Sequence, residues 1–530
     1  MEKMAHKIAL KAPGKIRLSW ELISVVSILV LGLFLRIYKI KSYIVFLGDE
    51  GRDVLVVYNI LHGDLTLLGP TSSVGGFFLG PIYYYLMAPF LWLSKYDPVG
   101  PAVMVVLFGL ATIYLVYVIG KEFFGKIAGL VASLLYAVSP IVIIYSRSSW
   151  NPNVFPFFTL SSLYMLYLGI KKKKWYLFAL SGFLMGINLQ IHYLATFVGV
   201  IMFIYLTFVE FKLKKEWFKN TIKRYAIMLF GFLIGFSPFF AFEARHQFLN
   251  TKNIIKFIFD SSDTGLSGNI FMNVEVVFER LFGGLLISFP GNVRHHMFDP
   301  DLIMLWYLAT VVFGIILIGF FLYYFYKNFK SKEVFQKTFL ILIWGVVGIG
   351  LFLFYKKPVY DYYLGFLFPF PFLLVGLVAS EVIKKYKKVG GIVVVCITSI
   401  LLIINLKFSP ILTPGNNQVD QMRSISEFIL SKTNNEHFNF ALITGGNSDH
   451  AYRYFFRLAD KDPVVIENSI VDPDRNTVTD QLFVVCESLP CKPLGNSLWE
   501  IAGFGRAEIA DEWDVSVVKI YRLIPYSKVE

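Results

Sequence analysis

The sequence predicts a mainly α-helical protein that crosses a membrane about eleven times and carries a small α/β domain outside it. Of its 530 residues 56% are hydrophobic and 16% are charged, whereas ordinary soluble proteins are about 25% charged. Apolar runs long enough to span a bilayer recur along the chain, and the composition becomes polar only after Leu406. These features exclude a disordered chain, a small secreted scaffold and a typical soluble enzyme.

The first apolar run, from about Trp20 to Tyr38, is interpreted as an uncleaved first span. No small-residue cleavage site follows it, and further spans do, which argues against a signal peptide. A basic head precedes it, with Lys3, Lys7, Lys11, Lys15 and Arg17. Further apolar runs lie near residues 100–120, 127–145, 153–170, 175–191, 193–210, 225–243, 303–325, 338–355, 363–383 and 391–408.

The distribution of Lys and Arg predicts the orientation of these spans. Basic loops lie at Lys121 with Lys126, Lys171 to Lys174, Lys212 to Arg224, Lys327 to Lys337 and Lys384 to Lys388. Placing them in the cytoplasm puts the N-terminus inside and the C-terminus outside a cell membrane. The count then requires that Pro81 to Leu93 does not cross, and at about 13 residues this segment is too short to span. Residues 40–99 are therefore predicted to form one extracytoplasmic loop with interfacial helices.

Residues 1–410 are predicted to form the transmembrane domain and residues 411–530 an extracytoplasmic α/β domain. Its predicted elements are helices at Gln418 to Ser431 and His450 to Leu458, and strands at Phe440 to Thr444, Val464 to Ile466, Gln481 to Val485 and Val515 to Leu523. Cys486 and Cys491 lie close together there and are predicted to form a disulfide, which would indicate an oxidising compartment. The net charge of +13 is assigned to the basic loops, so no nucleic-acid partner is expected.

Two adjacent carboxylates, Asp49 and Glu50, follow the first span within Gly48 to Asp53. A carboxylate at a membrane surface can accept a proton from a hydroxyl, and partial burial would raise its pKa toward the working pH. The structural alternative is that Asp49 is the N-cap of a helix running from Asp53 onward.

Four other groups of polar residues fall on the same predicted side. Arg147, in the turn Tyr145 to Asn153, could hold a phosphate by bidentate hydrogen bonds, or it could be an Arg that extends to the interface. His192 and Tyr193 lie between two spans that almost abut, where polar residues are functional candidates; the alternative is a plain turn with an interfacial Tyr.

The remaining two groups are cationic. Arg245 and His246 are adjacent and suit a phosphate ester, the alternative being a solvated helix end. Lys356 and Lys357 interrupt the positive-inside pattern, which indicates an anionic partner or a bilayer headgroup.

Acids on one loop and cations on four others fit a single chemistry. A hydroxyl attacks a sugar carried by a lipid phosphate, a carboxylate takes the proton, and cations neutralise the leaving phosphate. The sequence contains no zinc-ligand spacing, HExxH, P-loop or GxGxxG, and no DxD in the short outer turn. No metal and no cofactor are therefore predicted.

Several motifs of the first loop have a precedent. The Asp49-Glu50 pair is followed by a helix, a Gly63-Asp64 turn and the Tyr-rich segment Gly80 to Tyr85; Lys121 to Lys126 and a span ending at Ser139-Pro140 come later. In these features the sequence resembles the GT-C glycosyltransferases, more narrowly the glycosyltransferase family 39 group. That group includes protein O-mannosyltransferases and the lipid A aminoarabinose transferase. The resemblance covers roughly residues 20–380.

The resemblance implies a GT-C fold, a polyprenyl-phosphate-sugar donor and a metal-independent, inverting transfer of a hexose or pentose, with mannose as the family precedent. It implies that Asp49 is the base, that Glu50 supports it, and that Arg147 contacts the phosphate. His192, Arg245, His246, Lys356 and Lys357 are expected to add donor contacts. Arg52, Asn151, Tyr193, Tyr360 and Tyr362 are expected to bind the sugar or the acceptor.

Two departures from the family pattern bear on the acceptor. Many relatives have Asp-Pro where this chain has Asn151-Pro152, which keeps a hydrogen-bonding group but loses a charge. The C-terminal domain differs from those of protein O-mannosyltransferases. The acceptor is therefore left as a glycan, a lipid or a protein.

The leading hypothesis is an integral-membrane glycosyltransferase of the cell envelope. A transporter or flippase of lipid-linked glycans would share the topology, but it predicts polar residues deep inside spans and an internal repeat, and the sequence has little of either. A non-enzymatic anchor that presents the C-terminal domain would need only one or two spans.

Overall fold

A computed structural model describes residues 19–72, 76–213, 216–260, 270–289, 297–356 and 358–526. The basic head before Trp20 and the predicted site residue Lys357 lie outside these ranges. The helices are α1 Trp20–Ile37, α2 Ile40–Tyr43, α3 Gly48–Leu61, α4 Ile82–Leu93, α5 Val99–Phe124, α6 Lys126–Val138, α7 Pro140–Tyr145, α8 Phe155–Lys172, α9 Trp175–Ile191, α10 Ala195–Leu213, α11 Trp217–Gly235, α12 Ser237–Arg245, α13 Leu249–Asp260, α14 Ile270–Phe278, α15 Leu285–Ile287, α16 Pro300–Lys327, α17 Lys332–Gly350, α18 Pro369–Lys407, α19 Gln418–Lys432, α20 His450–Leu458 and α21 Trp499–Ala502. A π-helical stretch, Glu279–Gly284, joins α14 to α15.

Helices long and apolar enough to cross a membrane confirm a multi-pass membrane protein. Among the described residues seven helices meet this criterion, or eight if α11 and α12, which meet at 66°, form one bent span. The predicted figure of about eleven also counts shorter helices. One of these, α6, is 13 residues long and ends at Val138, because the residue before Pro140 is disfavoured in helical conformation. Another, α9, is 17 residues long.

The 39-residue helix α18 contains two of the predicted runs. Lys387 has non-helical backbone angles (φ 48°, ψ −117°) and marks a kink. A Cβ at Gly390 would lie 2.4 Å from the carbonyl oxygen of Val382, although eight residues of straight helix rise about 12 Å. The chain therefore bends back sharply, and the runs predicted at 363–383 and 391–408 correspond to the two arms.

The first loop contains short helices, as predicted for residues 40–99. It contains α2, α3 and α4, and the chain between α3 and α4 forms an isolated antiparallel bridge between Thr71 and Phe78. At 12 residues, α4 is shorter than a span. Its buried face includes Tyr83 and Tyr84, and it packs between α3 and α5. The loop is thus held against the helix bundle.

After α18 the chain forms a four-stranded sheet of order β1-β2-β4-β3. The strands are β1 Asn439–Ile443, β2 Leu482–Cys486, β3 Ala507–Val515 and β4 Val518–Pro525. β1 and β2 are parallel, and the other two pairings are antiparallel. We call residues 418–526 the C-terminal region. Helices α19 and α20 confirm the two predicted helices almost to the residue.

Two strand assignments need correction. Residues 464–466 are not a strand; the backbone N–H of Val464 donates to Phe438 in a single loop contact. The edge strand β3 was missed because its sequence, AEIADEWDV, is rich in acidic residues. Charged side chains are common on edge strands, where they discourage pairing with other chains.

The C-terminal region and the helix bundle share one continuous core. The ring of Phe46, in the first loop, lies 6.0 Å from that of Tyr454 and 5.7 Å from that of Phe455, both on α20. The buried cluster that contains these residues also includes side chains of α5, α8 and α18. This shared core fixes α20 against the first loop.

Cys486 and Cys491 are bonded to each other in the structure, and Cys396 is a free, exposed thiol. We expect the denatured, unreduced protein to take up one maleimide per chain and the reduced protein to take up three. Cys396 serves as the internal control for labelling. Intact-mass spectrometry distinguishes these outcomes, and uptake of three before reduction would contradict the disulfide.

Candidate active site

A cavity of about 680 Å³ lies where the first loop, the turn after α7 and the C-terminal region meet. Its lining residues are Val45, Leu47, Gly48, Asp49, Glu50, Ile144, Tyr145, Ser148, Trp150, Asn153, Gly446, Asn447 and Ser448. Both predicted catalytic carboxylates are among them. One wall is largely apolar and aromatic, and the opposite wall is the loop Gly446 to Ser448. The cavity therefore offers an apolar side, a polar side and two acids between them.

Asp49 lies in the first turn of α3, because this helix begins at Gly48 with Leu47 as its N-cap. The alternative in which Asp49 caps a helix starting at Asp53 is therefore wrong. The Asp49 side chain is 53% exposed, and its Oδ1 accepts a hydrogen bond from Nη1 of Arg52 at 2.8 Å. One carboxylate oxygen is thus held by a cation while the side chain remains accessible from the cavity.

Glu50 is buried beside Asp49. Its Oε2 accepts a hydrogen bond from the backbone N–H of Leu47 at 3.2 Å, which completes one half of a capping box. Burial, and to a smaller extent the neighbouring charges of Asp49 and Asp53, raise the pKa of Glu50 to about 7. Near neutral pH this carboxyl group is therefore divided between its protonated and ionised forms.

Asp53, which the sequence analysis did not single out, is fully buried behind these acids. Its Oδ1 accepts hydrogen bonds from Nε and Nη2 of Arg52, at 3.0 and 2.8 Å, and from the hydroxyl of Tyr84 at 3.2 Å. Burial raises the pKa of Asp53 to about 6, although Arg52 acts in the opposite direction. Arg52, predicted to bind sugar or acceptor, instead bridges the carboxylates of Asp49 and Asp53.

The raised pKa values of Glu50 and Asp53 predict how stability depends on pH. Their folded forms hold protons that the unfolded chain releases, so stability falls as the pH rises from about 3.8 to about 7. Glu50 contributes about 3 kcal/mol to this fall. We expect Glu50→Gln to flatten the pH dependence of the thermal unfolding midpoint. The exposed Glu467→Gln is the control, and equal slopes in all three proteins would contradict the prediction.

Arg147 is buried next to the cavity but does not line it. Its guanidinium lies 4.2 Å from the ring centre of Tyr43, and Nη2 donates to the carbonyl of Tyr38 at 3.0 Å. Nε and Nη1 are buried without a hydrogen-bond partner among the described residues. Burial lowers the pKa of Arg147 to about 10, so the side chain stays charged at neutral pH.

A second buried arginine, Arg36, lies beside Arg147 in the last turn of α1. Its Nε donates to Ser146 Oγ at 2.6 Å, and Nη1 donates to the carbonyls of Gly32 and Ala137 at 3.0 Å. Nη2 has no partner among the described residues. Arg36 was not predicted as a site residue, although an Arg inside an apolar span is a signal that identifies such candidates.

The predicted His192 and Tyr193 belong to an aromatic cluster that adjoins the cavity through Trp150. The ring of Trp150 is 4.5 Å from that of Tyr362, which is 6.2 Å from His192 and 5.8 Å from Tyr360. The His192 and Tyr193 rings stack at 4.8 Å. His192 is buried, which lowers its pKa to about 3. It is therefore neutral at ordinary pH and is no cationic phosphate ligand.

Asn151 supports this turn from within. Its Nδ2 donates to the carbonyl of Ile191 at 2.7 Å and so links the turn after α7 to the end of α9. The side chain is buried. Asn151 was predicted to bind the sugar or the acceptor, but it does not line the cavity and instead holds the turn in position.

The remaining predicted cations do not line the cavity. Arg245 and His246 are exposed at the end of α12, where His246 stacks on Phe242 with ring centres 4.3 Å apart. Lys356 is exposed, and Lys357 lies outside the described residues. In the part of the chain that is described, no group of three or more His, Cys, Asp or Glu side chains is placed to hold a metal ion.

Known structures share this arrangement of helices. The crystal structure of ArnT from Cupriavidus metallidurans bound to undecaprenyl phosphate matches at a TM-score of 0.60 and 11% identity, covering 95% of this chain and 98% of that one. The Archaeoglobus fulgidus oligosaccharyltransferase in complex with zinc and sulfate matches at 0.55 and 14%, covering 87% and 67%. The chain has the GT-C glycosyltransferase fold.

Further comparisons agree with the GT-C fold. Residues 79–242 match the family model described as dolichyl-phosphate-mannose-protein mannosyltransferase. Archaeoglobus fulgidus AglB, in complex with an inhibitory peptide and a dolichol-phosphate, matches at a TM-score of 0.52 and 14% identity, covering 88% of this chain and 69% of that one. No curated protein matches the chain in sequence. The predicted GT-C fold is thus confirmed, and the transporter alternative gains no support.

Proposed function

We propose that this GT-C protein transfers a sugar from a polyprenyl-phosphate donor to an acceptor hydroxyl, with inversion and without a metal ion. The transfer takes place on the extracytoplasmic face of the cell membrane. The observation that carries the proposal is the cavity into which Asp49 and Glu50 open together. The bound lipids named for the similar structures, undecaprenyl phosphate and dolichol-phosphate, support the donor class.

The cavity suits a sugar and a hydroxyl better than a phosphate. Its described lining contains two carboxylates and no Lys, Arg or His, so it would repel an anion rather than bind one. Its volume falls in the range of small-molecule sites, about 300–1,000 Å³. Trp150 offers an aromatic face beside the acids. We therefore assign the cavity to the transferred sugar and the attacking hydroxyl.

In the proposed reaction the acceptor oxygen attacks the anomeric carbon of the donor sugar. Asp49 takes the hydroxyl proton as general base, and the bond from the anomeric carbon to the phosphate oxygen breaks, leaving its electron pair on the phosphate. Arg52 keeps Asp49 in place. Glu50, with its raised pKa, limits the negative charge beside the base.

We assign the donor phosphate to Arg147, together with Arg36. The two guanidinium groups hold three buried nitrogens without partners among the described residues, and buried polar groups normally have partners. No salt bridge joins either arginine to a described carboxylate. A phosphate would supply the missing acceptors and would be neutralised as it leaves. The aromatic cluster around His192, with Tyr193, Tyr360 and Tyr362, is assigned to the sugar or the acceptor by stacking.

An activity screen tests the proposal and identifies the sugar, the carrier and the acceptor class. The purified protein in nanodiscs is given undecaprenyl-phosphate and dolichyl-phosphate carrying mannose, glucose, galactose or a pentose, with EDTA present. Consumption of one donor, by transfer or by slow hydrolysis, is the expected result. No consumption of any donor after addition of a membrane-extract acceptor mixture would count against the proposal.

A division at residue 410, with residues 411–530 outside the membrane, belongs to the same proposal. The C-terminal region forms one wall of the cavity, and the first loop forms another. This supports the placement, because the C-terminal region and the first loop must then lie on the same side of the membrane. Protease protection in sealed vesicles, with a site engineered after Tyr526, tests the orientation.

A further inference from the structure

We infer that Asn447 of the C-terminal region is a positioning residue for the catalytic turn of α3 and acts as its N-cap from a distant part of the chain. The inference rests on the proposed role of Asp49. Asn447 Oδ1 accepts the backbone N–H of Gly48 at 2.8 Å across a separation of 399 residues. Gly48 is the first residue of α3 and immediately precedes Asp49.

The N-cap residue of α3 has no side chain that can accept a hydrogen bond from the first turn. Leu47 occupies the N-cap position, where Ser, Thr, Asp and Asn are preferred because their oxygens accept the unpaired N–H groups of the first turn. Leucine has no such oxygen. The amide of Asn447 supplies one, so the C-terminal region provides what the local sequence lacks.

Asn447 is itself fixed in orientation. Its Oδ1 also accepts the backbone N–H of Ser448 at 2.9 Å, and its Nδ2 donates to both carboxylate oxygens of Glu487 at 3.0 and 3.2 Å. Both acceptor positions of the oxygen and the donor side of the amide are therefore used. Rotation of the amide would place its N–H₂ group against two other N–H groups.

Glu487 fixes the side chain of Asn447 and is itself held by further hydrogen bonds. Its carboxylate also accepts the hydroxyls of Tyr452 at 2.8 Å and Thr444 at 2.7 Å. It follows Cys486 of β2 directly. Networks of this kind lock a side chain into one arrangement when every member is satisfied.

The backbone of α3 lies very close to residues 448–451 at this contact, which restricts movement of α3 relative to the C-terminal region. A Cβ at Gly48 would lie 2.2 Å from Ser448 Oγ, and a Cβ at Gly51 would lie 2.3 Å from the backbone nitrogen of Ala451. Both glycines are thus needed for α3 to approach Ser448 and the first turn of α20. Because Asp49 lies between them, its position follows that of the C-terminal region.

Positioning matters because a general base must lie within hydrogen-bond reach of the proton it removes. A shift of about 1 Å in a reacting group can cost about a hundredfold in rate. Loss of the cap should therefore lower kcat while leaving the donor KM nearly unchanged, since the proposed phosphate ligands are on other elements.

The test measures hydrogen–deuterium exchange of the full-length protein without substrate, so it does not depend on the reaction. In Asn447→Asp the introduced carboxylate faces Glu487 and is repelled. We expect exchange at the Gly48 amide, followed in peptides spanning Leu47 to Asp53, to become about tenfold faster. Asn447→Ala, which adds no charge, should show the same direction of change.

A double variant tests the specific contact. Combining Asn447→Asp with Glu487→Gln exchanges donor and acceptor between the two positions and should restore slow exchange. Tyr452→Phe is the matched control, because it removes a hydrogen bond to the same carboxylate and leaves the Asn447 bond to Gly48 in place. Faster exchange in Tyr452→Phe equal to that in Asn447→Asp, or unchanged exchange in both Asn447 variants, would overturn the inference.

Kinetics complete the test with the donor that the wild-type protein consumes in the screen. We expect kcat to fall about tenfold in Asn447→Asp and to recover in the double variant, with the donor KM little changed. An inactive wild type would count against the proposed function and leave the exchange result to decide the cap. An active wild type whose kcat is unaffected by Asn447→Asp would overturn the positioning role alone.

Discussion

Asp49→Asn is expected to lower kcat for sugar transfer by about a thousandfold, within the range that general-base catalysis contributes. The amide keeps the size of the side chain and can still accept from Arg52, but it cannot take a proton. The donor should bind with nearly wild-type affinity, because the phosphate ligands are assigned to Arg147 and Arg36. The measurement is initial transfer rate at saturating donor, together with the donor dissociation constant.

A matched substitution elsewhere in the first loop distinguishes the loss of the catalytic base from a general effect on the structure of the loop. Asp64→Asn makes the same substitution in the exposed turn after α3, and it should leave kcat within about twofold of wild type. Asp49→Asn with full transfer activity would rule out Asp49 as the base. Glu50, which lines the same cavity, would then become the carboxylate to test.

Arg147→Ala is expected to raise the donor KM about a hundredfold. A hydrogen bond to a charged group contributes about 1.5–3 kcal/mol, and two are available from Nε and Nη1. Arg147→Lys should recover only part of the loss, because an ammonium group cannot donate two parallel hydrogen bonds to one phosphate. Donor titrations at fixed acceptor concentration give KM and kcat separately.

The buried environment of Arg147 calls for a stability control. Its removal also eliminates the contact with Tyr43 and the bond to Tyr38, so the unfolding midpoint of each variant is measured alongside the kinetics. Arg245→Ala removes a cation that is exposed and lies off the cavity, and it should change the donor KM much less. A donor KM for Arg147→Ala equal to that of the wild type would remove Arg147 from the phosphate site.

Local patterns predicted the spans, the first loop and the two acids. Hydrophobicity over about 20 residues identifies a span, and the length of Pro81 to Leu93 predicted the short helix α4 without tertiary information. The Asp49-Glu50 pair stood out because adjacent carboxylates after an apolar span are unusual. The edge strand β3 was missed because its acidic sequence resembles a loop until its pairing with β4 is known.

Burial accounts for the site features that the sequence did not reveal. Arg52 was expected to meet a substrate, but it bridges Asp49 and Asp53 because Asp53 lies on the buried face of α3. His192 was expected to act as a cation, but its stacking between aromatic rings removes it from water and keeps it neutral. Neither environment can be read from neighbours in sequence.

Local sequence properties, namely hydropathy, helix termini and residue identity, were enough to predict the membrane class, most helices and two carboxylates beyond the first span. The proximity of Arg36 to Arg147, and the contact of Asn447 with the helix bearing Asp49, became visible in the folded chain. These contacts join residues about one hundred to four hundred positions apart. They depend on how the helices and the sheet pack, and packing is a property of the whole chain.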